Sequence, residues 1–182
     1  MNKRSTYLRA SCRACVPAIF LAMSVVSVGA TELPSPGRVP PSTCFTIWQL
    51  PSQTGSQIMS YVIQSPHGQV VVVDGGFVAD APYLRGFLTN LGGKVNAWFL
   101  SHQHIDHNGA IAAILENPGP IEIENLYGSL LSEEWIQKYE PNEIDTMQPA
   151  RSLNAALEAD GRSVSPLSEG QEIFIDGLRF EV

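Results

Sequence analysis

The sequence has few of the residues that lock a chain covalently or carry it to a polyanion. Of its 182 residues only three are cysteine, and Cys12 and Cys15 fall inside the first thirty, which read as a leader that is removed. That leaves Cys44 and no intramolecular disulfide. Because Cys44 opens an apolar strand, its thiol is expected to be buried and inert rather than catalytic. No apolar run reaches the roughly 20 residues a membrane-spanning helix needs. Basic residues are scarce, 11 against 18 acids. Histidine is scarcer still, with four in all, and none follows His107. No tract is repeated or of low complexity. With 44% apolar and 16% charged residues, the chain has the profile of one ordinary globular domain.

The leader reading rests on residues 1–30. Lys3, Arg4, Arg9 and Arg13 precede the apolar or small run "VPAIFLAMSVVSVGA", which ends in Val28-Gly29-Ala30. A basic segment, a short apolar segment and small residues at a cleavage point make a secretory signal peptide. No lipobox cysteine follows the run, so the product is expected to be exported to a periplasm or the medium with no stable membrane anchor. Cleavage would remove four basic residues and no acid. Seven basic residues would then face 18 acids, a net charge of −11. Such a surface disfavours nucleic acid, whose binding rests on Lys and Arg neutralising phosphates.

Residues 31–43 form a Pro-rich lead-in containing "PSPGRVPP", and 44–182 carry the domain. There "CFTIWQL" (44–50), "SYVIQS" (60–65) and "VVVVD" (70–74) predict strands, with a turn at "SPHGQ" that leaves His67 as a solvated turn residue. In "DAPYLRGFLTNLGG" (80–93), Leu84, Phe87, Leu88 and Leu91 follow helical spacing, with Asp80 as cap. "VNAWFL" (95–100) predicts a strand buried on both faces, and "GAIAAILEN" (109–117) a helix. "IEIENLYG" (121–128) predicts a strand, and helices follow at about 132–140 and 146–160. Trp135 and Tyr139, on the first of these helices, are assigned to packing rather than to a pocket. "EIFIDGLRFEV" predicts a hairpin turning at Asp176-Gly177. Interleaved strands and helices make the class α/β (α+β), helices layered on a sheet.

Three histidines and an aspartate stand within six residues, in "HQHIDH" from His102 to His107, where a buried strand gives way to a helix. One histidine at a strand end is usually an ordinary hydrogen-bonded residue. Four such groups together are not, since a dry core gains nothing from so many titratable side chains. In extended chain, positions i, i+2 and i+4 point to one side, about 6.6 Å apart between neighbours, so His102, His104 and Asp106 are expected to face one cavity. Imidazole and carboxylate are ligands for divalent metals. His107, at the turn into the helix, can address a second ion. Paired ions about 3.5–4 Å apart activate water for hydrolysis.

The "HQHIDH" stretch resembles the H-x-H-x-D-H motif of the metallo-β-lactamase superfamily. "VVVDGG" (71–76) resembles the strand and turn that precede the motif there. Residues 44 to 182 look like the first half of that αββα sandwich, truncated at the C-terminus. The pattern is most similar to the branch containing the hydrolase-like domain of bacterial DNA-uptake competence channels. The resemblance implies a zinc-dependent hydrolase of a small-molecule, ester, amide or phosphoester substrate. It implies that His102 and His104 hold a first zinc, and that Asp106 and His107 hold a second. Asp106 would also be the catalytic residue that orients the attacking water, and Asp74 would brace the motif loop.

The resemblance also implies ligands that this sequence does not supply. Family members add a histidine, a bridging aspartate and often a last histidine after the motif. The later acids here have local explanations: Asp145 before a helix, Asp160 at the end of one, Asp176 in a hairpin turn. A half sandwich is expected to leave the inner face of its sheet without an opposing sheet. Two alternatives to the hydrolase follow, a non-catalytic or partner-completed zinc-binding module and a di-iron redox member of the same superfamily.

Overall fold

The computed structural model describes residues 7–8, 44–142 and 144–182. Apart from Tyr7–Leu8, the signal peptide and Pro-rich lead-in expected over 1–43 lie outside the described residues. The chain runs through β1 (Tyr7–Leu8), β2 (Thr46–Gln49), β3 (Ser60–Gln64) and β4 (Val70–Asp74), and then a 3-10 turn (Val78–Asp80) into α1 (Ala81–Asn90). Next come β5 (Lys94–Val95), β6 (Ala97–Leu100), α2 (Ile105–Glu116), β7 (Glu122–Ile123) and β8 (Leu126–Gly128). The rest is α3 (Glu133–Tyr139), α4 (Ile144–Asp160), β9 (Glu172–Ile175) and β10 (Leu178–Glu181).

Six strands make the main sheet in the order β1-β2-β3-β4-β6-β8. The first four pair antiparallel, while β4, β6 and β8 run parallel, with Val71 opposite Ala97 and Val73 opposite Phe99. Successive strand residues point to opposite faces, and here both faces are used. Val70, Val72, Trp98 and Leu100 join α1, α2 and α4 in one core. Val71, Ala97 and Phe99 meet Ile173, Ile175 and Phe180 of the β9–β10 hairpin in a second. Unbroken apolar runs in β4 and β6 are the sequence's record of this two-sided burial. The layers are therefore helices, sheet and hairpin, the α/β class expected.

The hairpin corrects the expectation that the sheet's second face would lie bare. Phe99 stacks between Tyr127 and Phe180, with ring centroids 5.2 and 4.9 Å away. Asp176 and Gly177 both have positive φ, 45° and 79°, as a two-residue type I′ turn requires. The Asp176 carboxylate also reaches across the sheet. It accepts from the Ser65 hydroxyl, from the His67 N–H at 3.2 Å and from His67 Nδ1 at 2.6 Å. His67 lies in the turn with its side chain 65% exposed, the solvated turn residue expected, and from there it also contacts the hairpin through Asp176.

Two further expectations are corrected. Cys44 is exposed, because it precedes the first paired residue of β2 rather than lying inside the strand. The "IEIENLYG" segment forms two short strands, since β7 pairs with β5 while β8 pairs with β6. Asp80 is the N-cap residue of α1, as expected, but its side chain makes no cap bond to that helix. It is buried and accepts instead from the backbone N–H groups of Gln53 at 2.6 Å and Phe77 at 3.0 Å. Among the described residues, no helix is long and apolar enough to cross a membrane.

Candidate metal centre

Strands β4 and β6 run parallel and end side by side, so the residues leaving them share one edge of the sheet. In open α/β sheets ligands gather at this carboxyl edge. Asp74 ends β4 with φ of 57°, a left-handed conformation that Asp tolerates better than most residues. Its peptide is held there by Trp98, whose fully buried indole donates Nε1–H to the Asp74 carbonyl at 2.9 Å. The buried carboxylate then accepts from the Ser101 N–H at 2.8 Å, the Ser101 hydroxyl at 2.7 Å and His107 Nδ1 at 2.8 Å.

These bonds fix ring tautomers. A carboxylate only accepts, so His107 carries a proton on Nδ1 and leaves Nε2 as an acceptor. Ser101 has given its proton to the bond with Asp74, so at 3.0 Å from His102 Nδ1 it accepts there as well. His102 is left with an unprotonated Nε2.

The helix that follows begins earlier than its apolar spacing indicates. It starts at Ile105, not Gly109, with extended His104 as its cap residue and no side-chain cap bond. The His104 carbonyl takes the N–H groups of His107 and Asn108 at 3.0 and 3.1 Å. Asp106 and His107 therefore sit in the first helical turn. This corrects the picture of His102, His104 and Asp106 alternating along an extended chain. A carboxylate in the first turn of a helix is favoured by the positive end of its dipole. The turn is pressed against the loop after β4. Gly76 donates to the His107 carbonyl at 3.3 Å, and Ala110 donates to the Gly76 carbonyl at 2.9 Å. A Cβ on Gly109 would lie 2.7 Å from the backbone nitrogen of Val78, so only glycine fits there.

The four motif side chains are gathered at this edge. The His102 ring centroid is 4.5 Å from that of His104 and 3.9 Å from that of His107. His107 Nε2 lies 3.7 Å from Asp106 Oδ2. Burial, and then the neighbouring imidazoles of His107 and His104, hold the His102 pKa below the ordinary histidine value against the pull of Asp74 and Asp106. A neutral imidazole is the form that binds a metal. Among the described residues, no three His, Cys, Asp or Glu side chains are already arranged around a single ion position. The chemistry of the donors nonetheless fits zinc, which takes imidazole nitrogen and carboxylate oxygen. The Asp74–His107 bond is the kind of outer contact that orients a metal-bound histidine.

The other acids weighed in the sequence stay away from this cluster. Asp145 lies in the first turn of α4, Asp160 pairs with Arg162 at 2.5 Å, and Asp176 pins the hairpin. Trp135 and Tyr139 are 41% and 57% exposed, which corrects their assignment to packing. Two residues inside or beside the motif join the site without being singled out by the sequence pattern. Ser101 is the hub between Asp74 and two histidines, and its small hydroxyl at a strand end is the available signal. Gln103 is buried, and its amide oxygen accepts the Leu131 N–H at 2.5 Å while Nε2 donates to the Leu131 carbonyl at 3.3 Å.

Comparison with known proteins agrees with this arrangement at the level of family. The model for the metallo-beta-lactamase superfamily matches residues 53–178. No curated protein matches the chain. Among solved structures it is similar to a metallo-beta-lactamase from Cronobacter sakazakii, at 18% identity over 73% of this chain and 49% of that one, with a TM-score of 0.49. It is also similar to the native FEZ-1 metallo-beta-lactamase from Legionella gormanii, at 15% identity over 74% and 47%, with a TM-score of 0.38. The chain spans about half the length of these structures.

Proposed function

The chain belongs to the metallo-beta-lactamase superfamily, and we propose from that membership that it is an exported, zinc-dependent hydrolase. The observation that supports this reading best is the convergence of three imidazoles and one carboxylate at the carboxyl edge of the sheet, with His107 oriented by Asp74. His102 and His104 would hold one zinc, and Asp106 and His107 a second. Zinc, when bound, supplies a water whose pKa is lowered to about 7.

The chain's own groups do the rest. Asp106, its charge favoured by the start of α2, would orient the attacking water. Asp74 fixes the His107 ring so that Nε2 faces the cluster. Ser101 sets the His102 tautomer in the same way. The basic, apolar leader of residues 1–30 supports export.

The test uses the full chain. Metal analysis is expected to find zinc, lost in His102→Ala and His104→Ala, together with zinc-dependent cleavage within a panel of esters, amides and phosphodiesters. Unchanged zinc content in both variants would sink the ligand assignment, and iron in place of zinc would favour the di-iron redox alternative. Export predicts a mature N-terminus near Thr31. A second reading, a non-catalytic or partner-completed zinc module, draws on the absence among the described residues of three donors already set around one ion. It predicts bound zinc with no turnover of any substrate in the panel.

A further inference from the structure

The histidine loop, residues 101–104, has no helix or strand of its own and bridges the end of β6 and the start of α2. Upstream, Ser101 is tied to Asp74 through its N–H and its hydroxyl. Downstream, the His104 carbonyl takes two N–H groups of α2. Between these anchors, among the described residues, the backbone of His102 and of Gln103 makes no hydrogen bond. The middle of the loop is held instead by the Gln103 side chain, which is 2% exposed. Its amide oxygen accepts the Leu131 N–H at 2.5 Å and its Nε2 donates to the Leu131 carbonyl at 3.3 Å. A primary amide carries acceptor and donor on one group, so this two-point clasp sets direction as well as position.

Leu131 is itself well placed. Gly128 ends β8 so close to β6 that a Cβ on it would lie 3.0 Å from both the Cβ and the carbonyl oxygen of Leu100. The missing side chain lets the segment leaving β8 run beside the one leaving β6. That segment is fixed on either side of Leu131. The Ser129 hydroxyl donates to the Leu167 carbonyl at 2.9 Å, and Ser132 caps α3. On the other side of the clasp, His102 and His104 are the two chain neighbours of Gln103, and their rings meet with centroids 4.5 Å apart. A shift of the Gln103 backbone therefore moves both rings. Asp106 and His107 stand apart from it, since they are placed by the first turn of α2, the Gly76 loop and Asp74.

We propose that Gln103 is the positioning residue for the first metal, setting His102 and His104 as a pair through its clasp on Leu131 and leaving Asp106 and His107 unaffected. This role rests on the two-zinc reading of the site and divides the site into two separately supported halves.

The test measures zinc affinity of the full chain by competition with a chromogenic chelator, with the two equivalents fitted separately. Gln103→Leu removes both bonds at similar bulk, while Gln103→Glu keeps an acceptor for the Leu131 N–H. One equivalent is expected to weaken about tenfold or more in Gln103→Leu, the scale for removing an outer partner of a metal ligand, and by less in Gln103→Glu. The other equivalent stays within about twofold. Equal weakening of both equivalents, or of neither, overturns the proposal. Because Gln103→Leu takes partners from two peptide groups, urea denaturation checks its fold, and if it does not fold Gln103→Glu is judged by the same criterion. Histidine-ring 15N spectra of the metal-free chain, assigned with His102→Gln, His104→Gln and His107→Gln, separate this role from the zinc reading. In Gln103→Leu the His102 and His104 signals are expected to move and the His107 signal to stay. That selective shift in a chain that binds no zinc supports the positioning of the rings and counts against the zinc reading. Zinc-dependent turnover with unmoved rings and unchanged affinities overturns the positioning role and leaves the hydrolase standing.

Discussion

Adding one methyl group at Gly109 sets two effects of comparable size against each other. In a helix interior, Gly→Ala raises propensity by about 0.8–1 kcal/mol. The new Cβ, however, would lie 2.7 Å from Val78 N, 3.0 Å from Phe77 C and 3.1 Å from Phe77 Cα. All three are backbone atoms, so no side chain can swing aside. Overpacking of this kind costs about 1–3 kcal/mol. If α2 retreats instead, the two bonds through Gly76 are lost, at about 1 kcal/mol each. We expect a net loss of about 1 kcal/mol, or a fall in Tm of roughly 2–4 °C for a chain of this size. Gly86→Ala is the control. It lies within α1, where an added methyl would meet nothing within 4 Å, and should gain up to about 1 kcal/mol. Urea denaturation of the full-length proteins, followed by circular dichroism, measures both. If Gly109→Ala matches or exceeds the parent while Gly86→Ala shows its gain, the helix does not rest rigidly on the 76–78 loop, and the account of how His107 is placed fails.

Asp74→Asn keeps the size of the side chain and tolerates the left-handed backbone, but puts a donor where His107 and Ser101 need acceptors. Zinc affinity is expected to fall about 10- to 100-fold, read by competition with a chromogenic chelator; an unchanged affinity would refute the role given to Asp74. Trp98→Phe removes the bond to the Asp74 carbonyl and leaves a void in a fully buried position. Its expected cost is roughly 2–3 kcal/mol in chemical denaturation, and a cost near zero would show that the indole does not hold that turn. The Ser65 hydroxyl first, and then His67, hold the Asp176 pKa below its ordinary value. Because the folded value is depressed, the stabilisation is complete above the unfolded pKa of about 3.9 and is lost as pH falls through the lower folded value. Amide protection factors in β9 and β10, which take out the intrinsic slowing of exchange in acid, should therefore drop on acidification through that range in the parent, and already be low at about pH 6 in Asp176→Asn. Identical exchange in the two proteins would remove the pin.

Local pattern made much of the framework readable. "VNAWFL" and "VVVVD" are apolar almost without interruption and prove buried on both faces. Asp176-Gly177 allows little but a tight hairpin turn, and Leu84 and Leu88 mark the buried side of α1. Misreadings arose where chemistry displaced pattern. Asp106, His107 and Asn108 break the apolar spacing, so the first turn of α2 looks like loop, although backbone bonding to the His104 carbonyl makes it helix. Contacts between distant parts of the chain leave no local trace. Nothing near Gln103 announces Leu131, and nothing near His67 announces Asp176, so the clasp and the pin could only be found in three dimensions. Trp135 and Tyr139 show the converse: ring size suggested burial, but α3 is too short and too lightly anchored to turn both rings inward.

The hairpin's position across the sheet bears on how the protein is made. Val71, Ala97 and Phe99 have been synthesised long before Phe180, the residue that stacks on Phe99. With chain growth at about 5–20 residues per second, the roughly eighty residues between Phe99 and Phe180 take about 4–16 s to emerge. Throughout that interval one face of a nearly complete sheet is sticky and uncovered, far longer than the microseconds in which a hairpin closes.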